Sequence, residues 1–195
     1  DAMRAKVQLL IDQAKASGAE SISLIPRNDA PAWSNAERLA ALRGALTAIL
    51  PMLDKADMVA LVEPLGFTTS SLRSKAETVD AIAAVGGTGR FKLVHDTFHH
   101  HLAGGGEIFP EHTGIVHISG VADPSLAVEE MQDGHRILVD ARDRLGNVEQ
   151  MRALLAAGYQ GAFSFEPFSP LVHALSDPEA AIRASFDFMS GGVAA

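Results

Sequence analysis

Four segments of the chain end in a side chain that can bind a metal ion. They read Ala-Leu-Val-Glu63-Pro, Lys-Leu-Val-His-Asp96-Thr, Gly-Ile-Val-His117-Ile-Ser and Phe-Ser-Phe-Glu166-Pro. Two glutamates, one aspartate and one histidine make an oxygen and nitrogen ligand set that suits Mn²⁺, Mg²⁺, Co²⁺ or Zn²⁺ and leaves positions for substrate oxygens. The sequence therefore predicts one divalent metal ion bound by Glu63, Asp96, His117 and Glu166.

The alternative for any one of these residues is an ordinary structural role. A single acidic residue at the end of a strand is usually a helix cap or part of a solvated turn. Four strand ends in succession that each carry a potential ligand favour a shared site instead. Both glutamates precede a proline, which keeps the preceding residue extended and stops the strand.

Further candidates for substrate binding lie close to these strand ends in the sequence. His99 follows Asp96 by three residues and could bind or polarise a substrate oxygen, although a hydrogen bond within the loop is the alternative. His135, Arg136 and Arg142 lie in a long polar stretch at 121–146, and loops of that length in compact domains usually have a function. We predict that these residues contact substrate.

The elements that must position these residues alternate between helix and strand. The strands are nearly continuous apolar runs, which is typical of a parallel sheet covered by helices, and the carboxyl ends of such strands lie on one face. An open doubly wound sheet and a (β/α)₈ TIM barrel both fit. The Gly-x-Gly-x-x-Gly motif that would favour the open sheet is absent. Strands are predicted at 21–25, 59–63, 91–96, 114–119 and 162–166, and helices at 1–17, 34–56 (kinked or interrupted at Pro51), 75–85, 148–157 and 177–189.

Composition limits the class of protein. The 195 residues are 47% hydrophobic and carry a net charge of −8, which predicts one domain over 1–195 and argues against nucleic acid as a partner. No cysteine is present, so thiolate sites are excluded. No apolar run is long enough to span a membrane and no signal-peptide pattern begins the chain, so we expect a cytoplasmic protein without a membrane partner.

The number of strands is small for a barrel. A complete barrel has eight strands and about 250 residues, whereas five strands are predicted here. The expectation is therefore a partial TIM barrel that corresponds to strands 4–8, with three N-terminal β/α units absent from this sequence.

The motifs also resemble those of a known family. Val-Glu63-Pro-Leu-Gly-Phe, Val-His-Asp96-Thr-Phe-His99, Val-His117-Ile-Ser-Gly and Gly-Tyr-Gln-Gly-Ala-Phe-Ser-Phe-Glu166-Pro-Phe resemble the xylose-isomerase-like TIM-barrel superfamily of sugar phosphate isomerases and epimerases, and within it the inosose-isomerase-like proteins of bacterial inositol catabolism. The resemblance implies the same four metal ligands. It also implies that His99 and an arginine after the His117 strand, such as Arg142, bind substrate.

The function expected from this resemblance is isomerisation or epimerisation of a small polyhydroxy ketone, either a keto-inositol or a ketose. Glu63 and Glu166 would transfer the proton through a metal-stabilised enediolate. The alternatives are a sugar or cyclitol dehydratase of the same superfamily and a non-catalytic metal- or sugar-binding remnant of a barrel. An apurinic-site endonuclease conflicts with the acidic balance, and a homo-oligomer is left open.

Overall fold

The computed structural model describes residues 2–30 and 32–194. Its internal contacts divide the chain into two units, residues 1–94 and residues 95–195, and strand β3 contains the division. No helix within the described ranges has both the length and the apolar character needed to cross a bilayer.

The first unit alternates helix and strand. Strand β1 pairs with β2 and β2 pairs with β3, both in parallel, with Leu24 opposite Val62 and Val62 opposite Leu93. Parallel strands end at the same edge of their sheet, so this register places the carboxyl ends of β1 and β2 side by side. The elements are α1 (Ala2–Ser17), β1 (Ser21–Leu24), α2 (Asn35–Ala56), β2 (Val59–Val62), α3 (Lys75–Ala84) and β3 (Phe91–Asp96).

The core of the first unit lies between its helices and strands. Helix α1 buries Val7, Ile11 and Ala14, which repeat at the spacing of one helix face. They join apolar side chains of β1, α2, β2 and α3 in one cluster. Outside this core, the guanidinium of Arg27 lies 5.0 Å from the centre of the Trp33 ring.

Helix α2 begins where the sequence predicts and continues through Pro51, the position at which a kink or an interruption is predicted. The Ser34 hydroxyl accepts from the Glu37 backbone N–H, and the Glu37 carboxylate accepts from the Ser34 backbone N–H at 2.7 Å, which satisfies two free donors at the helix start. The helix runs through Pro51 to Ala56. Proline removes a helix hydrogen bond, and burial of the neighbouring Ile49 and Leu53 offsets that loss.

The second unit holds the end of β3 and two further strands. Strand β4 pairs in parallel with β5, from Ile115 opposite Ala162 to Ile118 opposite Phe165. Helix α7 ends five residues later than predicted, and two short helices, α4 and α6, are not predicted. The elements are α4 (Thr97–Leu102), β4 (Thr113–Ile118), α5 (Asn147–Ala156), β5 (Ala162–Phe165), α6 (Pro170–His173) and α7 (Pro178–Ala194).

The core of the second unit contains Val116, Ile118, Leu154 and Met189. Tyr159 belongs to the same cluster and its hydroxyl donates to the Ala162 carbonyl at 2.9 Å. The buried phenol therefore keeps a hydrogen-bond partner within a mainly apolar surrounding.

The stretch at 121–146, predicted as a long loop, contains some regular structure. It contains two 3₁₀ turns, Val128–Glu130 and Asp133–His135. The chain then returns to the segment just after β4, where Gly120 and Ile137 exchange two backbone hydrogen bonds of 2.7 and 2.8 Å. A Cβ at Gly120 would lie 3.2 Å from the Val139 Cα, so a side chain at Gly120 would require the returning chain to shift by a few tenths of an ångström.

Candidate metal centre

Asp96 is the last residue of β3 and the N-cap of α4. One carboxylate oxygen, Oδ1, accepts from the His99 backbone N–H at 2.8 Å. The other, Oδ2, accepts from Arg136 Nη2 at 2.5 Å. Asp96 is 2% exposed, so it is at once a helix cap and a buried carboxylate of the candidate site.

His117 and Glu166 come from the neighbouring strands β4 and β5. The Glu166 backbone N–H donates to the Ile118 carbonyl at 2.8 Å, which extends the strand pairing by one residue and sets the glutamate beside β4. His117 Nδ1 lies 3.3 Å from Glu166 Oε2. The two side chains therefore meet at the carboxyl ends of their strands.

The ligand atoms of Asp96, His117 and Glu166 lie within 4.8 Å of one another. Donors about 2.1 Å from one ion lie roughly 3 to 4.2 Å from each other, so the three side chains would move closer together on binding it. Two carboxylates and an imidazole are also the donor types that Mn²⁺, Co²⁺ and Zn²⁺ accept, so these three residues fit a divalent ion.

Glu63 lies in the first unit, immediately after β2. Its backbone N–H donates to the Leu24 carbonyl at 3.1 Å, and its side chain is buried, with 5% of the residue exposed. Pro64 follows it, as the sequence requires for the end of that strand. The role of Glu63 as fourth ligand stays a prediction.

Arg136 is the residue that links two of the predicted ligands. Its Nη2 donates to Asp96 at 2.5 Å and to Glu166 at 2.8 Å, and only 1% of its side chain is exposed. Nε donates to Ser119 Oγ at 2.9 Å, and Nη1 donates to Asp133 at 3.2 Å. Four polar partners thus surround one buried guanidinium.

Two aromatic rings also contact the guanidinium of Arg136. The ring centres of Phe98 and Phe168 lie 5.0 and 4.8 Å from its central carbon, distances at which a cation is attracted to an aromatic face. Phe98 is fully buried and Phe168 is 44% exposed. The rings complete a fixed environment for a permanent positive charge.

These contacts set the charge of the centre. Burial by itself raises the pKa of Glu166, but the hydrogen bond and charge of His117, together with Arg136, outweigh it and lower the pKa to about 2. Glu166 is therefore ionised at neutral pH, the form that a metal ligand or a base requires. Burial lowers the pKa of His99 against the opposing effect of Asp96, which favours a neutral imidazole.

The residues predicted to bind substrate fall into two groups. Arg136 and His99 are buried beside Asp96, with His99 4% exposed. Arg142 has 71% of its side chain exposed and is paired with Asp140 at 2.5 Å. His135 is exposed and its Nδ1 accepts from the Gln132 backbone N–H at 2.9 Å. Within the second unit, Arg142 and His135 contact none of the three clustered ligands in the structure described.

Sequence reasoning did not identify the residues that hold Arg136. Ser119 could have been found, because it follows His117 by two residues and side chains two apart in a strand share a face. Asp133 precedes Arg136 within an irregular stretch, where no periodic pattern indicates which way a side chain points. Phe98 and Phe168 lie within the motifs that carry the family resemblance, but the sequence analysis gives neither ring a role.

Comparison with known proteins places this chain among a group of barrels. A family model described as xylose isomerase-like TIM barrel matches residues 1–191. A crystal structure of a xylose isomerase domain containing protein from Salmonella typhimurium LT2 is 31% identical, with a TM-score of 0.86, and the match covers 98% of this chain and 69% of that one. No curated protein matches the chain.

More distant structures share the fold. The IolI protein, crystallised with a binding zinc atom, is 17% identical with a TM-score of 0.83 over 97% of this chain and 68% of its own. D-psicose 3-epimerase from Clostridium cellulolyticum H10, solved with D-tagatose, is 15% identical with a TM-score of 0.72 over 97% and 70%. These matches confirm the predicted α/β fold, a partial TIM barrel.

Proposed function

Because this chain belongs to the xylose isomerase-like TIM barrel family, we propose that it is a metal-dependent isomerase or epimerase of a small polyhydroxy ketone. The observation that carries the proposal is the cluster of Asp96, His117 and Glu166 within 4.8 Å. Asp96 ends β3, His117 is the penultimate residue of β4 and Glu166 directly follows β5. Barrel enzymes place their sites at the carboxyl ends of strands. Sugar epimerases among the structural neighbours support the same class.

We propose Glu63 as the fourth ligand of a single Mn²⁺, Mg²⁺, Co²⁺ or Zn²⁺ ion. Its support is its place directly after β2, a strand that pairs in parallel with β3, because parallel strands deliver their end residues to one edge. The zinc atom in the IolI crystal structure supports a divalent ion. Such an ion would supply Lewis-acid polarisation of a substrate carbonyl.

The two glutamates are the proposed catalytic residues. Glu166, ionised at neutral pH, removes the proton from the carbon next to the substrate carbonyl, and the bonding electrons move into the enediolate. Glu63 returns a proton to that carbon from the opposite face, which epimerises it, or to the neighbouring carbon, which moves the carbonyl. The step balances when Glu63 starts as the carboxylic acid and Glu166 as the carboxylate, and the two groups exchange their protons with solvent before the next turnover. When the carbonyl moves, a second proton also passes from one substrate oxygen to the other.

The remaining predicted residues are proposed to orient the substrate. A neutral His99 can either donate or accept a hydrogen bond to a substrate oxygen. Arg136 supplies positive charge beside the carboxylates, while His135 and Arg142 would need to move to reach a substrate held there. A keto-inositol or a ketose, a role in inositol catabolism and a cytoplasmic location complete the proposal, and a homo-oligomer is compatible with it.

The test is proton exchange that depends on metal. The protein is stripped with a chelator, reloaded separately with each of the four ions, and incubated in D₂O with a panel of ketoses and keto-inositols. NMR should show deuterium entering next to the carbonyl of one substrate only when metal is present. Loss of water from that substrate would indicate a dehydratase. Absence of both exchange and metal binding would indicate a non-catalytic remnant.

A further inference from the structure

We infer that Arg136 is a built-in cation of the centre, which stabilises the metal-free protein and competes with a divalent ion for the oxygens of Asp96 and Glu166. The inference rests on the proposed function, because it takes these two carboxylates as metal ligands. In this inference Arg136 holds the carboxylates of Asp96 and Glu166 in place, in addition to any contact with substrate.

The first support is that oxygens of both carboxylates already accept hydrogen bonds. A single nitrogen, Nη2 of Arg136, donates to both Asp96 Oδ2 and Glu166 Oε2. The other oxygen of Asp96 already accepts from the backbone at the start of α4. An ion that binds Asp96 must therefore share or displace one of these two hydrogen bonds.

The second support is that Arg136 is anchored away from the ligands as well. Ser119 Oγ accepts from Nε at 2.9 Å, and the backbone of Ser119 is itself held because its carbonyl accepts from Asn147 Nδ2 at 2.9 Å. With Ser119 and Asn147 both 0% exposed, this chain of hydrogen bonds is shielded from water. The guanidinium therefore stays beside the centre when an ion arrives.

The positive charge of Arg136 therefore has opposite effects on the protein without a metal ion and on metal binding. Without a metal ion, Arg136 neutralises part of the repulsion among the carboxylates of Asp96, Glu166 and Asp133. With a metal ion, the same positive charge repels the ion at short range. A guanidinium stays charged throughout the ordinary pH range of proteins, so the repulsion cannot be relieved by losing a proton.

The experiment replaces Arg136 with methionine, which keeps an unbranched chain between the two phenylalanine rings but removes the charge and the donors. Thermal unfolding is measured in chelator, and the Zn²⁺ dissociation constant is measured by competition with a chromophoric chelator. We expect the Tm in chelator to fall by about 5 °C or more and Zn²⁺ to bind at least about tenfold more tightly. Arg183→Met, which removes an exposed arginine of α7 paired with Glu179, should change neither.

Ser119→Ala provides a second route if the methionine variant does not fold. It keeps the charge but removes the acceptor of Nε, so the guanidinium can relax away from the ion, and we expect Zn²⁺ to bind a few-fold more tightly. Zn²⁺ binding that is unchanged or weaker in the folded variants would overturn the inference and leave the proposed function standing. If the wild-type protein binds none of the four ions, the proposed function itself fails.

Discussion

The Glu166 carboxylate oxygen Oε2 lies 3.3 Å from His117 Nδ1 and 2.8 Å from Nη2 of the Arg136 guanidinium. A glutamine at this position keeps the size and one oxygen but cannot take up a proton. We predict that Glu166→Gln and Glu63→Gln each lower kcat by at least about a hundredfold with an unchanged circular dichroism spectrum. Glu179→Gln, on the exposed surface of α7, is the control. Wild-type turnover in either variant would refute the catalytic assignment.

The low pKa of Glu166 also predicts how stability changes in acid. The pKa of Glu166 falls from 4.5 to about 2 on folding, so the stability that the ionised carboxylate contributes is present above pH 4.5 and is lost as the pH falls toward 2. Denaturant unfolding in chelator should show this loss in the wild-type protein. The slope between these pH values should be smaller for Glu166→Gln, and equal slopes would contradict the prediction.

Asp96 explains why the site could be predicted only in part from the sequence. A helix cap and a metal ligand were alternatives for a residue at a strand end, whereas the structure gives Asp96 one oxygen for the cap and one for the centre. The ligand types and strand ends follow from local sequence. The central place of Arg136 does not, because nothing within 121–146 distinguishes Arg136 from Arg142 before the chain is folded.

At the scale of elements, strands are predicted better than short helices. Each predicted strand boundary lies within about one residue of the observed one, because the strands are short apolar runs, most of them followed closely by a proline or a glycine. Helix α4 was missed because its sequence, Thr-Phe-His-His-His-Leu, has weak helix propensity and depends on the Asp96 cap. Helix α7 continues through Gly191 and Gly192, which ordinarily indicate a helix end.

The contact between the returning chain and the segment just after β4 gives a prediction for Gly120. An alanine there would place its Cβ 3.2 Å from the Val139 Cα and 3.4 Å from the Leu138 carbonyl oxygen, so backbone atoms would have to move. We expect Gly120→Ala to reduce the free energy of unfolding by about 1 to 3 kcal/mol, measured by urea denaturation. Gly134→Ala has no atom within 4 Å of the added Cβ and should be nearly neutral. Equal stability of the two variants would contradict the prediction.

At the scale of the whole molecule, the prediction of one domain over 1–195 can be tested by calorimetry. The two units each have their own apolar cluster, so independent unfolding is the alternative. We expect one heat-absorption peak whose calorimetric and van't Hoff enthalpies agree, as for a single cooperative domain. Two resolved peaks would show that the units unfold separately.

The positions of Trp33 and Tyr159 give each unit its own optical reporter. The chain has one tryptophan and one tyrosine, and they fall on either side of the division between residues 94 and 95. Indole fluorescence therefore follows the first unit. Burial raises the pKa of Tyr159 from 10.0 to about 12, so the stability that the neutral phenol contributes is present below pH 10 and is lost as the pH rises toward 12. Between those values, phenolate absorbance counts the molecules whose second unit has opened, without any added label.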